Sequence, residues 1–138
     1  IRIANAPVSW GVFEQTVGDP LALEPEVMLD PMAAAGYAGT EVGPPGYFKE
    51  AEWLRDQLAQ RDLSLVGNFM PQRFSRSEHA EADRAGMIRD LEYMAAARPD
   101  ENMPKAILAD ASLEPERLRW AGQVPDHPAA ALPPERPV

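Results

Sequence analysis

Cysteine is absent from this chain, which excludes disulfides and thiolate chemistry and favours a reducing, cytoplasmic setting. Long apolar runs are absent too; none approaches the roughly 20 residues needed to span a bilayer. No charged-then-apolar leader stands at the start, so no signal peptide is expected. Positive charge is scarce: 13 Lys and Arg face 22 Asp and Glu, a formal net charge of -9. Nucleic acid needs clustered cations, so it is excluded as a partner. Histidine is nearly missing as well. His79 reads as part of an exposed helix start and His127 as solvated, so no complete zinc site is expected. No G-x-S-x-G turn follows a strand, which removes support for a Ser-His-Asp hydrolase. An initial Met is also lacking, and Ile1 suggests a processed chain or a piece of a longer one.

What is present suits one domain. The chain has 138 residues, 45% of them hydrophobic, enough for a globular core. Its 15 prolines are about twice the usual share of roughly 5%. Pro125, Pro128, Pro133, Pro134 and Pro137 crowd the end, so residues 125–138 read as a Pro-rich loop or linker after a domain at 1–124.

Within that domain, strands alternate with helices. Ile1–Asn5 is a short apolar alternation suited to a strand, and Ala6–Phe13 reads as a loop leaving it. A helix is expected from Pro25 to Ala35, with Val27, Met28, Met32 and Ala35 at helical spacing and Gly36 as its stop. Pro31 predicts a kink there or a fresh start. Gly39–Val42 reads as a strand and Phe48–Gln60 as a helix with Trp53, Leu54, Leu58 and Ala59 on one face. Leu63–Met70 is the clearest strand, stopped by Pro71. A helix capped by Ser77 should run to Ala97, burying Met87, Ile88, Leu91, Met94 and Ala95. Lys105–Asp110 is a fourth strand, and Leu113–Ala121 a last short helix capped by Ser112.

Alternation of this kind implies α/β architecture with parallel pairing. Strand starts near 2, 39, 64 and 105 average about 34 residues apart, so eight units would need roughly 270, near the roughly 250 of an eightfold β/α barrel. The chain therefore reads as about four β-α units, the N-terminal half of a (β/α)8 TIM barrel. A doubly wound sheet of four or five strands also fits the length. The lack of a glycine-rich phosphate turn disfavours it.

A parallel sheet gathers its carboxyl ends, which here carry Asn5 with Trp10, Glu41, Asn68 with Phe69, and Asp110. Carboxylates and amides hydrogen-bond hydroxyl groups, and an aromatic face covers the C–H side of a ring. That mixture suits a polyhydroxylated ligand. The same residues also suit plain structural duty: the amides ending strands, the aromatics filling core, the acids in solvent. Glu41 leans toward function, because a carboxylate inside a parallel sheet is costly unless paired or used. Asp110 has an alternative as a cap for the next helix. Glu14, in the first loop, reads as solvated.

At these positions the sequence resembles a known family. Residues 1–14, from Ile1 through Ala6-Pro7-Val8-Ser9-Trp10-Gly11 to Glu14, are similar to the opening strand and loop of inosose dehydratase-like proteins. These are xylose-isomerase-like TIM barrels, with sugar isomerases, epimerases and type-IV endonucleases as relatives. Residues 34–47, Ala34 to Tyr47, resemble that group's second strand and loop, and Leu65–Pro71 its third strand. The resemblance implies a divalent metal, Mn²⁺, Co²⁺ or Mg²⁺, that polarises sugar or cyclitol oxygens so that a base can remove a C–H proton. In the family, Glu, Asp, His and Glu from later strands hold that metal, so none of those ligands carries over. Asn5, Trp10, Glu41 and Phe69 would form one wall of the substrate pocket.

Two functions follow as expectations. The chain is the N-terminal part of a metal-dependent sugar or cyclitol lyase or isomerase, inactive alone. Alternatively it is a non-catalytic half-barrel that self-associates, or docks with a complementary chain, through open edges.

Overall fold

Residues 1–19, 22–74, 76–111 and Pro115 are described by the computed structural model. The expected helix at Leu113–Ala121 with its Ser112 cap, the Pro-rich stretch 125–138 and His127 lie outside the described residues. The architecture is mixed α/β around a small parallel sheet. A 3-10 turn at Pro7–Trp10 precedes α1 (Pro25–Ala34), β1 (Gly39–Glu41), α2 (Ala51–Gln60), β2 (Ser64–Gln72), α3 (Ala80–Ala97) and β3 (Lys105–Asp110). The strands lie side by side in chain order, β1-β2-β3, and both pairings are parallel. Each neighbouring pair is joined by one helix, as parallel pairing requires.

Pro25 opens α1, where its missing N–H has no partner to lose, and Met28 N–H donates to Glu24 O at 3.1 Å. The helix runs without a restart through Pro31. Pro31 is exposed, so the Val27 carbonyl it leaves unbonded is on the solvent side, where Val27 itself is 55% exposed. The buried face is accordingly Pro25, Met28, Leu29 and Met32, without the expected Val27 and Ala35. Gly36 adopts φ +84, and Gly36 and Tyr37 N–H donate to Ala33 O and Met32 O. That double bond closes the helix end as a Schellman motif. α2 begins at Ala51, later than expected, and buries Ala51, Leu54 and Leu58, while Ala59 is exposed. Each fully buried leucine contributes about 1.5–3 kcal/mol relative to an exposed one.

Four expectations need correction. Ile1–Asn5 is not a strand; only Asn5 bridges to β1, opposite Thr40. Its backbone still lies parallel to β1, with Ala38 N–H donating to Ile3 O and Asn5 N–H to Gly39 O. Residues 1–4 are exposed, so they lack the packing that would extend the ladder. Second, Pro71 does not stop β2. Gly67 O faces β1, where it accepts from Val42 N–H, and Gln72 O faces β3, where it accepts from Ala111 N–H. Alternation puts the Pro71 nitrogen on the β1 side, beyond the last residue of β1, where no ladder bond is lost.

The third correction concerns the start of α3. A 3-10 turn at Ser77–His79 precedes it, and Ser77 makes no side-chain cap. The fourth concerns its buried stripe. Met94 and Ala97 are buried and Met87 partly so, whereas Ala95 is exposed, Ile88 is 43% exposed and Leu91 41%. Among the described residues the helix packs chiefly against α2 and β2, so its inward face is turned from the expected one.

One irregularity marks the sheet. Thr40 pairs with Leu65 but Glu41 pairs with Gly67, leaving Val66 as an extra, bulged residue of β2.

Candidate functional site

The carboxyl ends of β1 and β2, the loops that follow residues 5 and 41, and one side of α3 enclose a cleft of about 670 Å³. Gly43 shapes the second loop. Its φ is +75, and a Cβ there would sit 2.6 Å from Pro7 Cγ. Only glycine lets this loop lie against the 3-10 turn of the first.

Glu41 ends β1 and its N–H donates to Asn5 O at 3.0 Å. The side chain lines the cleft half-buried and without a hydrogen bond or ion pair among the described residues. Burial pushes its carboxyl above the ordinary value. Asn68, in β2, is only 5% exposed, lines the same cleft, and its Oδ1 is buried without a hydrogen-bond partner. Phe69 follows it and is 48% exposed along the cleft. These three of the expected residues come together.

The other three do not line this cleft. Asn5 Oδ1 accepts from Ala6 N–H at 2.8 Å, a local turn that occupies its amide oxygen. Trp10 packs partly buried against the core, with Nε1 buried and unpartnered. Asp110 is exposed at the end of β3, in register with Gln72.

α3 contributes side chains that the sequence reading did not single out. Arg89, Asp90 and Tyr93 line the cleft opposite Glu41 and its loop, and Glu14 joins from the first loop. Tyr93 Oη donates to Lys49 O at 2.8 Å, which ties α3 to the segment before α2. Burial, then the charges of Glu50 and Glu52, push its hydroxyl up to about 12, so it stays a donor. Asp90 is half-buried; burial raises its carboxyl and the Arg89 guanidinium partly offsets this. A signal for Asp90 exists in the spacing. Asp83, Met87, Asp90, Met94 and Ala97 recur every three or four residues, so Asp90 is an acid on the inward stripe.

This arrangement can bind hydroxyl groups. The carboxylates accept from them, the Asn68 amide pairs with a hydroxyl in either orientation, and Phe69 covers apolar ring edges. Among the described residues no three His, Asp or Glu side chains are gathered as metal ligands would be. These residues therefore do not fit a divalent cation, and no metal-based step is assigned to them. Among the described residues no helix is long and apolar enough to cross a membrane. In comparison with known proteins, no family model matches the chain and no curated protein matches it.

Proposed function

We propose that this chain forms the substrate wall of a sugar or cyclitol lyase or isomerase, built as the N-terminal half of an eightfold β/α barrel. The observation that carries the reading is the convergence of Glu41, at the carboxyl end of β1, with Asn68 and Phe69, in the carboxyl-terminal half of the adjacent parallel β2, on one cleft. In parallel β/α barrels that end of the sheet is where ligands bind. Support also comes from residues 1–5, which lie beside β1 in parallel and so continue the chain-order arrangement of neighbours. On this reading the chain binds and orients the hydroxyl groups of a ring. The divalent metal (Mn²⁺, Co²⁺ or Mg²⁺) of the parent enzyme is held by residues other than those described here.

Nuclear magnetic resonance titration of the 138-residue chain with an inosose and a ketose tests the reading. Binding should shift the amide signals of Glu41, Asn68 and Phe69, and Phe69→Ala should weaken it about tenfold, the cost of about 1.4 kcal/mol of lost ring contact. Absence of shifts at all three positions with both ligands overturns the proposal. Metal-dependent turnover by this chain alone would overturn its reading as a wall without the metal.

A second reading, self-association, is favoured by exposed apolar side chains and an open sheet edge. Ile88, Leu91 and Leu108 are each at least 40% exposed, and among the described residues β3 pairs with β2 alone. Light scattering should then show a dimer or larger species at micromolar concentration; a monomer at every concentration excludes it.

A further inference from the structure

The acids of the cleft outnumber its cations, and their placement bears on what the ligand carries. Glu14, Glu41 and Asp90 come from three different elements, and Arg89 is the one cation among the described lining residues. Among the described residues Glu41 has no ionic partner, and the Arg89 guanidinium acts on Asp90 through its charge alone. A half-buried carboxylate without a partner is an unfavourable state that a bound cation relieves. The acids do not converge as metal ligands would among the described residues. They suit a ligand that spreads several donors across the cleft. Asn68, 95% buried by its 5% exposure and unpartnered at Oδ1, marks the same wall as built to receive a polar group.

We infer that the cleft selects its ligand by charge, taking an amine-bearing polyol in preference to a neutral one and rejecting a phosphorylated one. Asp90, supplied by α3, is a specificity-determining residue of this selection together with Glu41. The inference rests on the polyol reading of the same cleft and deepens it. The buried Val12, Val42 and Phe48 and the half-exposed Phe69 give the cleft apolar walls that lessen the screening of Glu41 and Asp90. An ammonium group there meets two carboxylates at lowered dielectric, whereas a phosphate meets the same two with a single guanidinium in compensation.

Calorimetric titration of the 138-residue chain at pH 6.5 tests this with three pyranoses: D-glucosamine, D-glucose and D-glucose 6-phosphate. The amino sugar should bind about tenfold tighter than glucose, and the phosphate about tenfold weaker, each a difference of about 1.4 kcal/mol. Added salt should compress both ratios. Asp90→Asn should reduce the ratio of amino-sugar to glucose affinity from about tenfold to about threefold, an order-of-magnitude expectation for losing one partly screened charge. Glu14→Gln, at an exposed loop position, gives a second variant should Asp90→Asn lose its fold, and should reduce the same preference. Equal affinity for all three sugars, or tightest binding of the phosphate, overturns the charge inference and leaves the polyol reading standing. Failure of all three to bind overturns both.

Discussion

Asp83 receives Arg73 twice over: the Arg73 backbone N–H reaches Oδ2 at 2.9 Å and its guanidinium Nε reaches Oδ1 at 3.1 Å. The pair closes the chain between the end of β2 and the first turn of α3, so it holds the two elements that bear Asn68, Phe69 and Asp90. A carboxylate in the first turn of a helix is also favoured by the helix dipole.

These bonds hold the Asp83 carboxyl down at about 2, with the Arg73 side chain the largest cause. A carboxyl lowered on folding adds stability above its unfolded value near 4 and loses it as pH falls toward 2. Thermal melts between pH 5 and pH 2, values taken to bracket that window, should show this decline. Asp83→Asn should be less stable than wild type at pH 5, and the two proteins should converge by about pH 2. Parallel melting curves across the whole range would contradict the assignment.

Glu41 has the opposite sign. Its carboxyl is raised by burial, so ionising it costs the folded state more than the unfolded one. That cost is absent below about pH 4 and grows as pH rises through the folded value. Glu41→Gln should therefore be more stable than wild type at pH 7 and no more stable at about pH 4. The same variant should bind the cleft ligand less tightly. Urea melts at the two pH values read the first effect and calorimetry the second.

Gly43→Ala should destabilise the loop at the mouth of the cleft. The new methyl combines positive φ with a 2.6 Å approach to Pro7, and together these should cost about 1–3 kcal/mol. Urea denaturation checks the stability, and the amide signals of residues 7–13 should shift with it. A melt indistinguishable from wild type would mean that the two loops do not rest on each other.

Asp62 stands just past α2 at φ +52, and Leu63 N–H closes the helix end by donating to Leu58 O at 3.0 Å. Glycine reaches that backbone conformation without the Cβ penalty. Asp62→Gly should raise stability by about 0.5–1 kcal/mol, with no effect on ligand binding. A thermal melt of the variant below that of wild type would show that the aspartate side chain contributes something the turn geometry does not account for.

The elements that the sequence announces clearly are those decided by local chemistry. Lys105–Asp110 is bounded by Pro104 and a compact apolar run, and β3 has those limits. Gly36 ends a helix because a left-handed residue is needed there, and it takes that conformation. What the sequence conceals depends on neighbours. Ile88 and Leu91 form as good an apolar stripe as Met87 and Met94, and only the position of β2 and α2 decides between them. Pro71 reads as a stop because local rules ignore which side of the strand its nitrogen faces. Glu41, Asn68 and Phe69 were legible as residues near expected strand ends; β2 runs on to Gln72, and it is the end of β1, opposite Gly67, that leaves Asn68 and Phe69 at the cleft. Asp90 was legible only as an acid spaced with Met87 and Met94, because a helix partner had to be known before that side of α3 could be recognised as the inward one.

Val66 sets the phase of β2. Before it the deeply buried apolar side chain is at an odd position, Leu65, and after it the buried side chains are at even ones, Asn68, Met70 and Gln72. The extra residue is therefore a one-step frame shift written into the strand. Were the bulge ironed out with Val66 kept in plain alternation, the residues beyond it would exchange faces: Phe69 would turn inward and Met70 outward, and the Asn68 amide would leave the wall it now forms. Recognition in the cleft thus depends on a count of residues as much as on their identity.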